Sequence, residues 1–243
     1  MPERQRDAHH ELGSPRRLED LEASGLLDFS AVVALDALTQ VVRASLGPDT
    51  DTMVNVVTAD HQVTVSRAPG RDQGQAVPPI SLSSSMCKHV VLSGQPYLVP
   101  DTANDPRHRS AAREFGIGAY AGFPVRGSLG TVIGAVCTVA PRPRLWSDLD
   151  LTVIGSVATA VESLVTLHTD VRRAQRARIS GAVPAEASAR AHHSIRTPMT
   201  SLLGFLDLLL DGNLGELSQV QQDAVQRCHS NAERVRGTVE ALI

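Results

Sequence analysis

Residues 191–202 read AHHSIRTPMTSL, and this stretch sets the architecture of the C-terminal third of the chain. From within it, apolar side chains recur at alternating steps of four and three: Ile195, Met199, Leu202, Leu206 and Leu209. This spacing predicts a helix with an apolar seam, as in a coiled coil or a helix bundle. At about 100° per residue, His193 lies roughly 200° away from Ile195, on the outer face of that helix. Arg196 at i+3 and Thr197 at i+4 flank the same face.

The same stretch resembles the phosphoacceptor box of sensor histidine kinases, which has the pattern S-H-E-L-R-T-P-L-T. Pro198 fixes the register, because the family's histidine stands five residues before that proline, which makes it His193 and not His192. The resemblance implies that His193 accepts a phosphoryl group as a nucleophile and that Arg196 and Thr197 assist the transfer. The plainer alternative is a surface histidine beside a proline kink.

A second helix is expected to complete a hairpin. The first helix should extend from about residue 185 to 210, residues 211–215 have the composition of a turn, and Ser218 can cap the second helix. The second seam consists of Val225, Cys228, Ala232, Val235, Val239 and Leu242. Two antiparallel helices with such seams predict dimerisation into a four-helix bundle. Residues 184–243 thus resemble the dimerisation and phosphotransfer domain of the kinase family.

Two features depart from the family's pattern. Ser194 stands where the family has an acidic residue that the resemblance implies to be a general base, and a hydroxyl cannot take the imidazole proton as a carboxylate can. The asparagine and glycine boxes of an ATP-binding domain are also missing from the 243 residues. ATP and Mg²⁺ are therefore expected to act only through a catalytic domain elsewhere, on another chain or in a part of the protein outside this sequence.

Composition narrows the class of protein. The net charge of −3 gives no basic footprint for nucleic acid, and 3% aromatic residues leave few rings for base stacking. No apolar run approaches the ~20 residues of a membrane span, and the N-terminus lacks the apolar core of a signal peptide. The three cysteines are widely spaced, which predicts reduced thiols and no metal site. A cytoplasmic protein is expected, with contact to neither membrane nor nucleic acid.

The N-terminal two-thirds predicts an α+β domain. Residues 1–14 are polar and are expected to form a flexible tail, and residues 17–46 have helical periodicity that stops at Gly47. Strands are predicted at 52–59, 62–68, 97–100, 119–125 and 131–140, and short helices at 83–92 and 109–115. Helices before, within and after an antiparallel sheet make an α+β layer pattern.

This order resembles a GAF domain, here assigned to residues 15–146. The motifs that carry the likeness are SMCKHVV at 85–91, DTANDPR at 101–107, AYAGFP at 119–124, and the pair Trp146-Ser147. They identify the fold better than the ligand, which stays unknown. Gly116, Gly118 and Gly122 are expected to serve packing and not phosphate binding.

Several residues of this domain could hold a ligand. Cys87 could carry a bilin through a thioether, as in some relatives, although a half-buried helix residue is the simpler interpretation. His89 and His108 could ligate haem, but isolated histidines are more often structural. Asp101, Asp105 and Arg107 could bind a small polar ligand, or they could form a salt-bridged loop. The N-K-F-D-E pattern of cyclic-nucleotide GAF domains is absent.

Residues 147–183 predict a linker helix. Ser147 and Asp150 have the spacing of a capping box, and an apolar stripe follows at Ile154, Val157, Val161, Leu164, His168 and Val171. Because the stripe extends past the domain and four arginines follow it at 172, 173, 176 and 178, it favours a parallel coiled coil between two copies over packing on the domain's own sheet alone. The whole pattern predicts a homodimeric two-component signalling protein that transfers phosphate through His193 to or from a response regulator. A separate histidine kinase or ATP-binding domain is expected as a further partner. A non-catalytic GAF adaptor that binds a response regulator or kinase is the alternative.

Overall fold

The computed structural model describes residues 11–28, 32–68 and 77–179, together with scattered positions between 200 and 233. The helices are α1 (Pro15–Ser24), α2 (Val32–Leu46), α3 (Cys87–Ser93), α4 (Arg109–Phe115) and α5 (Asp148–Ile179). The strands are β1 (Asp51–Val57), β2 (His61–Arg67), β3 (Ile80–Ser81), β4 (Tyr97–Val99), β5 (Ala119–Arg126) and β6 (Val132–Ala140). The predicted α+β class and its antiparallel strands are confirmed.

The strands described in the structure form one antiparallel sheet in the order β3-β2-β1-β6-β5-β4. Because side chains alternate along a strand, β1 sends Val54 and Val56 to one face and Asn55 and Val57 to the other. Val54 and Val56 join the core beneath α2 and α5, whereas Val57 joins a second core beneath α3. The sheet therefore separates a helical layer that leads to the C-terminus from a smaller layer built on α3.

The N-terminal helical stretch is broken, which corrects the single run expected over residues 17–46. Gly25 has φ of 66° and caps α1, and a short 3-10 turn follows at Leu26–Asp28. A left-handed backbone suits glycine, so the chain can turn there without strain. Leu12, which the sequence placed in the flexible tail, is only 3% exposed and packs in the core beneath α3.

A buried carboxylate fastens α1 to the turn between β5 and β6. Asp20 is fully buried and accepts hydrogen bonds from the backbone N–H groups of Leu129 (2.9 Å) and Thr131 (3.2 Å). The Thr131 hydroxyl donates a third bond at 2.7 Å. These bonds satisfy polar groups of a tight turn that the sheet alone would leave unpaired.

Helix α5 begins at the predicted capping box. The backbone N–H of Ser147 donates to Asp150 Oδ2, and the backbone N–H of Asp150 donates to Ser147 Oγ, both at 3.1 Å. Ile154, Val157 and Val161 are buried in the protein's own core against the sheet, which corrects the coiled-coil seam that the sequence favoured at these positions. At these positions the stripe is therefore not available to a second copy.

The segment Asp148–Ala174 of α5 is also long and apolar enough, by length and composition alone, to cross a membrane. The search covered only the residues that the structure describes. Since its apolar stripe lies in the domain core, the segment has the character of a core helix, which passes the same test.

The C-terminal region is described only in part. Residues 203–204 and 206–210 are helical, and a turn lies at 211–212 where it was predicted. Leu206 and Leu209 of the predicted first seam are buried, as is Val225 of the second, and they cluster with Val41 and Leu167. The other seam positions lie outside the described residues, and so does the expected four-helix bundle.

Candidate functional site

The predicted phosphoacceptor residues cannot be located in the fold. His193, Arg196 and Thr197, together with Ser194, lie outside the described residues. The site that the described residues do form lies in the α+β domain, on the α3 face of the sheet.

A cavity of about 210 Å³ opens on that face. Its floor comes from strands β1, β2, β5 and β6, and its walls come from the start of α3, the end of α4 and the segment around β3. Its apolar lining includes Met53, Ile80, Met86, Phe115, Ile117 and Val139. Its polar lining includes Asp51, Asn55, Gln62, Arg67, Tyr120, Cys87 and Cys137. An apolar cavity with a few convergent polar groups has the character of a small-molecule site.

Two thiols lie side by side on the cavity floor. Cys87 begins α3 and Cys137 lies in the middle of β6, and each is 1% exposed. The side-chain amide of Asn55 donates from Nδ2 to Cys137 Sγ at 3.1 Å and to Cys87 Sγ at 3.4 Å. Both sulfurs therefore lie within hydrogen-bonding distance of one amide nitrogen. Cysteines that are 50 positions apart in the sequence thus form one pair.

Tyr120 adds a further donor to this pair. Its hydroxyl donates to Cys87 Sγ at 3.3 Å. The ring can lie there only because Gly122 has no side chain, since a Cβ at Gly122 would lie 2.2 Å from Tyr120 Oη. In the sheet register, Gly122 stands next to Cys137. The glycine predicted to serve packing therefore makes room for the tyrosine that reaches the thiols.

These contacts make the two thiols chemically unequal. Hydrogen bonding from Cys137, with smaller contributions from Tyr120 and Asn55, lowers the pKa of Cys87, although burial opposes the shift. Hydrogen bonding to Cys87 and burial raise the pKa of Cys137. Burial keeps Tyr120 neutral by raising its pKa. Since a thiolate is the reactive form of cysteine, Cys87 is the thiol of the pair that is more readily converted to that form.

Two polar atoms at the cavity lack partners. Among the described residues, Asn55 Oδ1 and Asp51 Oδ1 are buried without a hydrogen bond. The other oxygen of Asp51 is paired with Arg67. Unsatisfied buried acceptors cost free energy, so their occurrence together at one cavity suits a ligand that brings hydrogen-bond donors.

His89 and His108, the two candidate haem ligands, both contact the side chain of Tyr97. Tyr97 Oη and His108 Nε2 share a hydrogen bond of 2.7 Å, and the ring of His89 stacks on Tyr97 with centroids 5.0 Å apart. Burial, helped by the charge of Lys88, lowers the pKa of His89 to about 4. The described part of the chain holds no group of three or more potential metal ligands. These rings pack on one another at the side of α3, and the geometry there is that of a structural cluster.

The carboxylates of the loop after β4 are bonded to other groups of the same loop. Asp101 Oδ1 accepts the backbone N–H groups of Ala103 and Asn104, and Asp105 forms an ion pair with Arg107 at 2.7 Å. The interpretation as a salt-bridged loop therefore fits better than that of a polar ligand site.

The cavity is physically connected to α5. The carbonyl of Tyr120 accepts the indole N–H of Trp146 at 3.1 Å, and Trp146 stands directly before the capping box of α5. Tyr120 thus contacts Cys87 with its side chain and the start of α5 with its backbone.

Sequence reasoning identified Cys87 but missed Asn55 and the pairing with Cys137. The signal for Asn55 was present, because it is the one amide within the apolar strand segment MVNVV at 53–57. The pairing had no such signal, since it depends on the register of β6 against β1 and on the position of α3.

Comparisons with solved structures return matches of low identity. A free methionine-R-sulfoxide reductase from Neisseria meningitidis shares 18% identity over 59% of this chain and 83% of its own, with a TM-score of 0.45. The GAF domain of an Acinetobacter phosphoenolpyruvate-protein phosphotransferase shares 11% over 70% and 99%, with a TM-score of 0.44. A domain assigned to a two-component sensor histidine kinase from Sinorhizobium meliloti 1021 shares 18% over 58% and 92%, with a TM-score of 0.42. No curated protein matches the chain.

Family models match both parts of the sequence. The GAF domain model covers residues 30–165, more than half of the chain, and the model of the His Kinase A (phospho-acceptor) domain covers residues 185–243. The chain therefore belongs to the GAF domain family and joins that domain to a His Kinase A domain, a combination that indicates two-component signalling of the histidine kinase type.

Proposed function

We propose that the GAF domain controls phosphoryl transfer through His193 to or from an aspartate of a response regulator. The observation that carries this proposal is the match of residues 185–243 to a phosphoacceptor domain, directly after a GAF domain. Within that match, the spacing between His193 and Pro198 supports His193 as the acceptor, with Arg196 and Thr197 as the neighbouring side chains that assist transfer. The imidazole supplies the nucleophile, while ATP and Mg²⁺ act through a catalytic domain elsewhere.

A route for control follows from the contacts of Tyr120. A ligand or a chemical change at Cys87 acts on the Tyr120 hydroxyl, and the Tyr120 carbonyl holds Trp146 at the start of α5. Helix α5 extends to Ile179, a few residues before the His Kinase A match begins. A shift in the packing of α5 between two arrangements is the physical form that such a signal would take.

The proposal includes a homodimer in the cytoplasm. His Kinase A domains typically dimerise, and response regulators are the usual partners of two-component proteins. Since Ile154, Val157 and Val161 of α5 are buried in their own domain, the hairpin seams are the better candidates for the dimer interface. Exposed Leu208, with 45% of its surface accessible, lies on the described part of the first hairpin helix.

The test is transfer of labelled phosphate to the full chain. The donor is either the catalytic domain of a histidine kinase with Mg-ATP or a phosphorylated response regulator. We expect an acid-labile, base-stable label, as a phosphohistidine gives. Ser194→Glu should raise the rate, because general-base assistance is typically worth ~10²–10⁴-fold.

A second candidate function is a non-catalytic GAF adaptor that binds a response regulator or a kinase. Ser194, in place of the acidic residue, is the observation that favours it. Binding of a response regulator without any histidine label from either donor would support the adaptor and contradict the transfer proposal.

A further inference from the structure

The paired thiols at the cavity floor have a chemistry that signalling through His193 does not require. Cys87 and Cys137 both accept from Asn55 Nδ2, at 3.4 and 3.1 Å, which places the two sulfurs side by side on the cavity floor. A disulfide needs an S–S separation of about 2.05 Å, so its formation requires the start of α3 to move towards β6. Both thiols are almost fully buried from bulk solvent, yet both line the cavity.

We infer that Cys87 and Cys137 form a redox-active dithiol that reacts with small hydroperoxides entering the cavity and closes to a disulfide. The cavity of about 210 Å³ admits a molecule of this size, since one water occupies about 30 Å³. Asn55 and Tyr120 supply donors at the reacting sulfur. This claim concerns the thiols alone and does not depend on phosphoryl transfer.

The first step oxidises Cys87. Its thiolate sulfur attacks one oxygen of the hydroperoxide, the O–O bond breaks, and a sulfenic acid forms on Cys87. The leaving hydroxide or alkoxide takes a proton and departs as water or alcohol. Cys87 is oxidised by two electrons and the hydroperoxide is reduced by two.

The second step consumes Cys137. Its sulfur attacks Cys87 Sγ, the S–O bond of the sulfenic acid breaks, and the Cys87–Cys137 disulfide forms. The hydroxide that leaves Cys87 combines with the proton that leaves Cys137, and water is released. The environments of the two thiols suit this order. Cys87 accepts a hydrogen bond from Tyr120, which favours its thiolate and its attack on the peroxide, and Cys137 keeps its proton until it attacks the sulfenic acid.

The full chain in a Cys228→Ser background gives a direct test, because only the pair then remains. After treatment with hydrogen peroxide we expect both titratable thiols to disappear and the intact mass to fall by two hydrogens. A thiol reductant should restore both. Wild-type protein serves as the control, with peptide mapping expected to join Cys87 to Cys137 and to leave Cys228 free.

Single variants in the same background separate the roles. In Cys137→Ser, Cys87 should be trapped as a sulfenic acid that a dimedone probe labels. In Cys87→Ser, Cys137 should stay a thiol. If either variant fails to fold, the wild-type peptide map still decides. Two free thiols after peroxide, a disulfide to Cys228 instead, or a sulfinic acid on Cys87 beside a free Cys137 would each overturn the inference.

Discussion

Asn55→Val should stabilise the GAF domain, although it removes two hydrogen bonds. Asn55 is 1% exposed in the central strand β1, and among the described residues its Oδ1 has no partner. An unsatisfied buried acceptor costs about 1–3 kcal/mol, whereas a typical net hydrogen bond contributes about 0.5–1.5 kcal/mol and thiols are weak acceptors. Valine also suits a buried strand position. The net gain in the free energy of unfolding is expected to be about 1 kcal/mol, or about 2–4 °C in Tm.

Trp146 provides the assay. It is the only tryptophan of the chain, and its indole N–H is bonded to the Tyr120 carbonyl inside the GAF domain. Urea unfolding followed by tryptophan fluorescence therefore reports on this domain and not on the hairpin.

Thr52→Val is the matched control on the same strand. Thr52 is also fully buried, but its hydroxyl is bonded to the Thr138 hydroxyl at 3.0 Å. Its removal leaves Thr138 without this partner and should cost about 1–2 kcal/mol. Opposite signs for the two variants are the expected result. A loss of stability in Asn55→Val as large as that in Thr52→Val would refute the reasoning, because Asn55 would then be a satisfied structural residue.

Four further outcomes are expected. Asp20→Asn should lower the free energy of unfolding by about 2–4 kcal/mol in the same fluorescence assay, because the single oxygen of the asparagine amide cannot accept all the bonds from Leu129 and Thr131. A change under about 1 kcal/mol would contradict this. Ser147→Ala should cost about 0.5–2 kcal/mol through loss of the capping box at α5, whereas Ser147→Thr should retain most of it. The stability of the domain should fall as the pH is lowered from about 6.5, the ordinary pKa of histidine, towards the folded pKa of His89, about 4, because the unfolded chain binds the proton more readily in that range. His89→Gln should flatten this slope in acid-denaturation curves. Tyr120→Phe should raise the pKa of Cys87, measured from thiolate absorbance in a Cys228→Ser background, and an unchanged titration would show that the hydroxyl does not serve the thiolate.

The sequence predicted local elements well where one strong signal determined them. The helix at Arg109–Phe115 and the capping box at Ser147 and Asp150 occur as expected, because a few neighbouring residues fix each of them. The break at Gly25 was missed because helical periodicity continues across it. For α5, periodicity predicts that Ile154 and Val161 are buried, but it does not tell which surface buries them. The fold shows that this surface is the domain's own sheet.

The site was predictable only in pieces. Cys87 and the AYAG segment with Tyr120 and Gly122 were identified from motifs, yet their joint role depends on sheet register. Cys137 becomes the partner of Cys87 because β6 pairs with β1 and β5 and places it below α3. A linear pattern holds no information on such a contact between residues far apart in the chain.

The position of the phosphate tests the central claim most directly. The full chain is labelled from a kinase catalytic domain or a phosphorylated response regulator, and the modified residue is mapped in wild type, His193→Gln and His192→Gln. The account predicts that label lies on His193, vanishes in His193→Gln and persists in His192→Gln, because adjacent residues on a helix point about 100° apart. Label that survives His193→Gln would contradict it.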